Sequence, residues 1–213
     1  NKTVNGKQQT IRYHVDDVMS SHVDKKVNDD FALWLQDKYG EHSPVTIKRG
    51  DKHDYLGMIF EFKDGAVSID MTSYVKDMLN EFPVKFKKGD KVPSPAGDDL
   101  FSVGNGPLLS KERQEIFHTI VAKGLYICKR ARMDIQPTIA VLCTRTKAPN
   151  ESDWKKLIRL MKFLYCTQDD KHTMSADNLQ IIKWSVDSSF AVHPDFKSHT
   201  GTTMHLGQGA IQG

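Results

Sequence analysis

The sequence predicts an α+β chain, and three patterns carry that expectation. Short alternating apolar runs joined by tight turns occupy residues 11–23 and 56–69. Apolar residues at helical spacing fill 110–164, and a last alternating pair, 182–187 and 201–206, returns to strand periodicity.

Ile11, Tyr13 and Val15 alternate with Arg12, His14 and Asp16, and residues 18–23 form the return strand, so Asp16-Asp17 falls at a hairpin tip. Asp24 opens a helix with Val27, Phe31, Leu33, Trp34 and Leu35 on a broad apolar side, and Gly40 stops it. Residues 45–48 are a short strand candidate. Leu56, Met58, Phe60 and Phe62 share one strand face, Asp64-Gly65 makes the turn, and Val67 and Ile69 return. Thr72 is placed as the cap of a short helix over 73–82. Residues 83–107, rich in Lys, Gly, Pro and Asp, read as a linker.

Ser110 then caps a helix running to about Ala131, in which Phe117, Ile120, Val121, Gly124 and Cys128 keep one buried stripe. Pro137 suits the first turn of a second helix ending near Thr144. A third begins after Pro149, with Trp154, Leu157, Ile158, Met161 and Leu164 inward and Lys155, Lys156, Arg159 and Lys162 on the opposite side. Ile182, Trp184 and Val186 lead as a strand to Asp187, with residues 201–206 as its antiparallel neighbour.

Composition narrows the classes. At 213 residues, 38% hydrophobic and 27% charged, the chain has material for one domain or two small ones. No run of 18 apolar residues exists, so no transmembrane helix is expected, and the polar first ten residues show no signal peptide. Cys128, Cys143 and Cys166 fit neither a paired framework nor a zinc pattern and are expected as reduced core thiols of an intracellular protein. The nine histidines show no ligand spacing, and no Gly-rich phosphate loop or Gly-x-Ser-x-Gly elbow occurs. The chain starts at Asn1 without Met and stops at Gly213 in what reads as mid-strand, so a piece of something longer is expected.

The net charge of +3 is unevenly spread. Residues 1–106 hold 15 basic and 17 acidic groups, residues 107–166 hold 12 and 5, and residues 167–213 hold 3 and 5. A +7 band thus lies between two slightly acidic parts. Such a band suits a polyanion or a solvated helical face.

The sharpest local feature is His14-Val15-Asp16-Asp17. Two adjacent carboxylates at a tight tip repel each other, and a divalent cation with hard oxygen ligands would offset that cost. The alternative is a solvated Asp-Asp turn.

This hairpin resembles the Val-Asp-Asp signature of reverse transcriptases. Tyr55-Leu56-Gly57-Met58, followed by a hairpin and Ser73-Tyr74-Val75, is similar to the copia-type retrotransposon polyprotein. Arg130-Ala131-Arg132-Met133-Asp134-Ile135 resembles that family's TRPDI segment, and the run from Trp154 to Leu164 resembles its W…L.RYLKGT helix. Ser185-Val186-Asp187-Ser188-Ser189-Phe190-Ala191 and Ser198-His199-Thr200-Gly201 resemble the opening of its ribonuclease H domain. These blocks stand in family order over nearly the whole chain. Departures are Met133 in place of Pro, Tyr165-Cys166-Thr167 in place of the Lys-Gly-Thr helix stop, and Ser188 and His199 in place of commoner residues.

The resemblance implies a fold and an activity. Residues 1–82 would be the later part of a polymerase palm with the primer-grip hairpin and the start of the thumb. Residues 83–107 would be a linker, 108–167 a helical thumb and connection, and 168–213 the first strands of a ribonuclease H-like domain. The chemistry would be two-metal nucleotidyl transfer, with two Mg²⁺ ions about 4 Å apart held in part by Asp16 and Asp17. Asp187 would be the first metal ligand of the ribonuclease H site. Tyr55, Leu56 and Gly57 would lie in the primer grip. Lys155, Lys156, Arg159 and Lys162, then Arg130 and Arg132, would contact nucleic-acid phosphates.

Partners implied are an RNA template, a DNA primer, the RNA–DNA hybrid, deoxynucleotides and the rest of the polyprotein, with no membrane. The setting implied is intracellular, in cytoplasmic virus-like particles and the nucleus. With both metal sites incomplete, the chain alone is expected to be inactive. Two other readings are a catalytically dead relic gripping RNA–DNA duplex through 107–166, and a generic α/β interaction domain.

Overall fold

Asn5 and Gly6 lie together in the left-handed region, at φ 51° and 72°, the two-residue turn that matches the twist of paired strands. They join β1 (Lys2–Val4) to β2 (Lys7–His14), which pairs in turn with β3 (Asp17–Ser21). The structure, a computed structural model, describes residues 1–87, 89, 91–92, 94–193 and 195–213. It contains antiparallel sheets and five α-helices among the described residues, an α+β architecture, in two units: Asn1–Phe60 and Glu61–Gly213.

In the first unit, burial fades along β2 instead of alternating across it. Gln9 is buried, Ile11 is half-buried, and Tyr13 and Val15 are exposed. The base of the hairpin is held by a polar chain in which Gln9 Nε2 donates to Ser20 Oγ at 3.2 Å and Ser20 Oγ donates to Asn28 Oδ1 at 2.8 Å. Asn28 belongs to α1 (Lys25–Tyr39), so the helix covers the base of the hairpin and leaves the tip uncovered. Helix α1 starts and stops as predicted. Asp24 accepts from Lys26 N at 2.9 Å, and Gly40 N donates to Gln36 O. Its apolar side differs from expectation: only Val27 and Ala32 are buried, while Leu33 and Trp34 are exposed.

Residues 45–48 form no strand, because Val45 N donates to the Gln36 side chain at 3.0 Å and not to a neighbouring strand. Strand β4 (Lys52–Tyr55), which the pattern did not predict, precedes β5 (Met58–Lys63). Leu56 and Gly57, at φ 53° and 69°, are the turn between them, so Leu56 is not a strand residue as expected.

In the second unit, Asp64-Gly65 makes the predicted turn into β6 (Ala66–Asp70), with φ of 51° and 75°. Strand β6 pairs with β7 (His172–Ala176), which pairs with β10 (Gly207–Gln208). Thr72 is the first residue of α2 (Thr72–Glu81) and not its cap; Asp70 Oδ1 takes Thr72 N instead, at 2.8 Å.

Three further helices, α3 (Lys111–Cys128), α4 (Gln136–Arg145) and α5 (Glu151–Cys166), pack with α2 around a core of Phe82, Phe117, Ile127, Ile139, Leu142, Leu157, Leu160 and Leu164. Ser110 caps α3 as predicted, but the helix ends at Cys128, and a 3₁₀ turn over Met133–Ile135 follows. Gly124 permits the crossing of α3 and α4: a Cβ there would stand 2.4 Å from Ile139 Cδ1.

The expected linker at 83–107 is docked in part. Leu100 is buried, and a bridge joins Leu108 to Asn150. Lys88, Asp90 and Pro93 of that stretch lie outside the described residues. Strands β8 (Lys183–Ser189) and β9 (His199–His205) form the predicted antiparallel pair, a two-stranded sheet exposing Trp184 and Val186. No described helix is long and apolar enough to cross a membrane.

Candidate functional site

The register His14↔Asp17 leaves Val15 and Asp16 as the two residues of the β2–β3 turn. Val15 sits at φ 52° and is 88% exposed. A β-branched side chain in the left-handed region costs on the order of 1–3 kcal/mol, which Asn or Gly would avoid. Asp16 stands in the turn and Asp17 opens β3; both are exposed, and neither forms an ion pair or side-chain hydrogen bond with a described residue. Their carboxylate oxygens suit a hard cation. Among the described residues no three His, Cys, Asp or Glu side chains gather as a metal-holding group, so this tip presents two carboxylates.

The β4–β5 turn holds the other sequence candidates of the first unit. Tyr55 is buried at the end of β4, and Gly57 lies exposed in the left-handed turn beside half-buried Leu56. The exposed turn backbone is open to close approach, while the Tyr55 ring is a packing residue.

The basic candidates divide sharply. Arg132 is buried: its guanidinium donates to both Asp134 oxygens at 2.7 to 3.3 Å, to Thr167 O at 2.9 Å and to Thr167 Oγ1 at 2.7 Å. Lys156 faces inward, against expectation. It is 6% exposed, and its ammonium donates to Leu100 O at 3.1 Å and Ser102 O at 2.5 Å. Both charges serve the fold. The inward turn follows from the helix register, since Lys156 lies one turn from buried Asp153 and Leu160 and the docked 100–102 segment offers it carbonyl partners.

Lys155 is exposed, and Arg159 and Lys162 are half-buried. Arg130, half-buried, lies 3.6 Å over the Tyr126 ring and donates to Tyr126 O, so its position is fixed. Lys155, Arg159 and Lys162 therefore form the basic face of α5, with Arg130 as a separate cation.

Asp187 lies mid-strand in β8 opposite Gly201, exposed, and its Oδ1 accepts from Ser188 N at 2.9 Å. No described carboxylate or histidine joins it in a metal-holding group.

Two clefts of the second unit escaped the pattern reading, because each gathers residues from distant segments. One, about 270 Å³, sets His193 and His199, 5.7 Å apart by ring centres, against Phe101 beside the Arg145–Asp153 pair. The other, about 230 Å³, lies between α4, α5 and residues 95–100, bordered by Thr138, Lys155, Arg159 and Asp99. Burial raises the thiol pKa of Cys128 and Cys143 above the ordinary value.

Comparisons of the chain with protein-family models, with curated proteins and with solved structures returned no match.

Proposed function

We propose that this chain is part of an RNA-directed DNA polymerase of the copia retrotransposon type, with Asp16 and Asp17 as divalent-metal ligands and the outer face of α5 as a phosphate grip. The observation that carries the reading is Val15. A valine held at φ 52° on a bare hairpin tip, between His14 and Asp16, gains nothing for stability. What it does is set two carboxylates, unpaired among the described residues, on an exposed hairpin turn.

Divalent ions bound there would supply Lewis-acid activation of a hydroxyl and charge neutralisation on phosphate oxygens. The chain's own part is to present Asp16 and Asp17 on a fixed turn. Two carboxylates are fewer than a hard cation's usual six or more oxygen ligands. The reading therefore predicts weak, local metal binding by these residues and no turnover by them alone. On the same reading Asp187 would open a second metal site, and Tyr55, Leu56 and Gly57 would shape a primer-holding hairpin.

The test is Mn²⁺ titration of the ¹⁵N-labelled chain. Amide signals of residues 14–18 should broaden first, and Asp16→Asn with Asp17→Asn should remove that selectivity without unfolding the chain. Uniform broadening, or the same pattern in the variant, would overturn the metal reading.

A second reading, a nucleic-acid-binding relic, is favoured by the cationic face of α5, where Lys155 is exposed and Arg159 and Lys162 are half-buried. It predicts RNA–DNA duplex binding that weakens roughly 40- to 150-fold between 50 and 200 mM salt if three or four phosphates are contacted. Duplex binding without selective Mn²⁺ broadening would favour that reading over the polymerase.

A further inference from the structure

Two of the residues bordering the cleft between α4, α5 and residues 95–100, Thr138 and Arg159, each carry a buried polar atom with no partner among the described residues. Thr138 is 1% exposed, and its Oγ1 has no hydrogen-bond partner among the described residues. Arg159 Nε is buried and likewise has none. An unmet buried donor costs about 1–3 kcal/mol. Here two of them belong to residues that border the same space, while the buried cations Lys156 and Arg132 have hydrogen-bond partners.

The surroundings set the sign of the missing partner. Arg159 Nε–H can only donate, and the Thr138 hydroxyl can donate too, so an acceptor satisfies both. Lys155 and Arg159 are one helical turn apart on α5, so both charges border the cleft. The Lys156 ammonium adds a third positive charge, with two of its three donors directed to Leu100 O and Ser102 O. Asp99 is the one carboxylate on the rim among the described residues; a Cβ at Gly97 would be 2.8 Å from its Oδ1 and 3.9 Å from Arg159 Nε. Among the described lining residues three cations face one anion, which favours an anionic ligand.

The wall opposite α5 is preset. Arg159 Nη2 reaches Ser94 Oγ at 3.4 Å, and Ser94 Oγ donates to Ala96 O at 2.6 Å. Gly97, which has no Cβ, brings backbone close to the guanidinium.

From these contacts we propose that the cleft is a binding site for a single phosphate group, gripped by Arg159, Lys155 and the Thr138 hydroxyl. A tetrahedral oxyanion has acceptor oxygens for Nε–H, the hydroxyl and the ammonium at once, and the 230 Å³ of the cleft accommodates it. The phosphate could belong to a nucleic-acid backbone or to a free or terminal group. The first source deepens the duplex-gripping reading, and the second is independent of it.

The Arg159 Nε–Hε resonance of the full chain is the readout, in titrations with inorganic phosphate and with an oligothymidine lacking terminal phosphates. A saturable shift with either probe, absent with chloride at equal ionic strength, is expected. A shift with the oligonucleotide assigns the backbone phosphate; a shift with phosphate alone assigns a free or terminal group. Thr138→Val should weaken the response at least threefold, and if that variant does not fold, Lys155→Gln on the exposed rim should weaken it too.

An unmoved Arg159 signal with both probes, or an equal shift with chloride, would overturn the site. If that happened while duplex binding kept its salt dependence, the phosphate cleft alone would fail and the nucleic-acid reading would stand. If duplex binding failed while phosphate still shifted Arg159, the cleft would stand without it.

Discussion

Helices α1 and α5 begin alike and end up unlike. Each has a side-chain N-cap: Asp24 takes Lys26 N, and Asn150 takes Ser152 N and Asp153 N while Asp153 returns a bond to Asn150 N. Each carries an apolar stripe and an aromatic near its centre or start. Yet Trp154, Leu157 and Leu164 are buried in α5, whereas Leu33 and Trp34 of α1 are exposed. The difference is the partner. Helix α5 is faced by α2, α3 and α4, whereas α1 covers the base of one hairpin. Local signals decide that a helix forms; what stands opposite decides which apolar residues are used.

The largest test of that comparison is truncation. Leu157→Ala should cost about 2–5 kcal/mol, because Leu157 is fully buried among packed helices. Leu33→Ala should stay within about 0.5 kcal/mol. Urea unfolding of both variants checks this, and equal losses would break the contrast.

Next come the adjacent lysines. Lys156→Met leaves the Leu100 and Ser102 carbonyls without their donor and should cost about 1–3 kcal/mol. Lys155→Met should leave stability nearly unchanged and instead weaken duplex binding. Denaturation paired with a duplex titration separates the two effects, and a swap of effects would place the grip on the wrong lysine.

A smaller effect is expected in acid. Burial alone would raise the Asp70 carboxyl pKa, but hydrogen bonds from Thr72 and Lys171 outweigh it, so the value lies below the ordinary 3.8. With the folded pKa depressed, the unfolded chain binds the proton first. The resulting stability is therefore present above about pH 4 and is lost as pH falls further. Asp70→Asn should flatten that part of the unfolding midpoint against pH; an unchanged slope below pH 4 would count against the Asp70 network.

The smallest perturbation is chemical. Cys166 is exposed, and Cys128 is buried with its pKa raised by burial and remains mostly thiol. A thiol reagent should label Cys166 at once and Cys128 only on unfolding. Early labelling of Cys128 would mean that the α3 core opens more readily than its burial indicates.

The parts legible in the sequence share a property: their cause lies within a few residues. Ser110, Asp24 and Gly40 marked helix ends, Asp64-Gly65 marked a turn, and the stripe from Phe117 to Cys128 marked a buried face. The β8–β9 pairing was likewise visible in its alternation. What failed was long-range. Strand β7 has a weak pattern and exists because β6 and β10 flank it. Lys156 looked like a surface lysine until the 100–102 carbonyls came to meet it. Val15 was legible as a residue, but its left-handed backbone was not. One further signal is local: Asn5-Gly6, among the strongest short hairpin pairs, turns β1 into β2.

Arg132 has a consequence for time as well as for geometry. Its guanidinium joins the turn after α3 to Thr167 at the end of α5, 35 residues further on. That bond cannot close until the end of α5 stands beside the turn after α3, so it is expected to form late in assembly. Breaking it with Arg132→Ala should appear mainly as faster unfolding in denaturant, with the refolding rate little changed. One buried side chain would then set how long the helical unit stays closed.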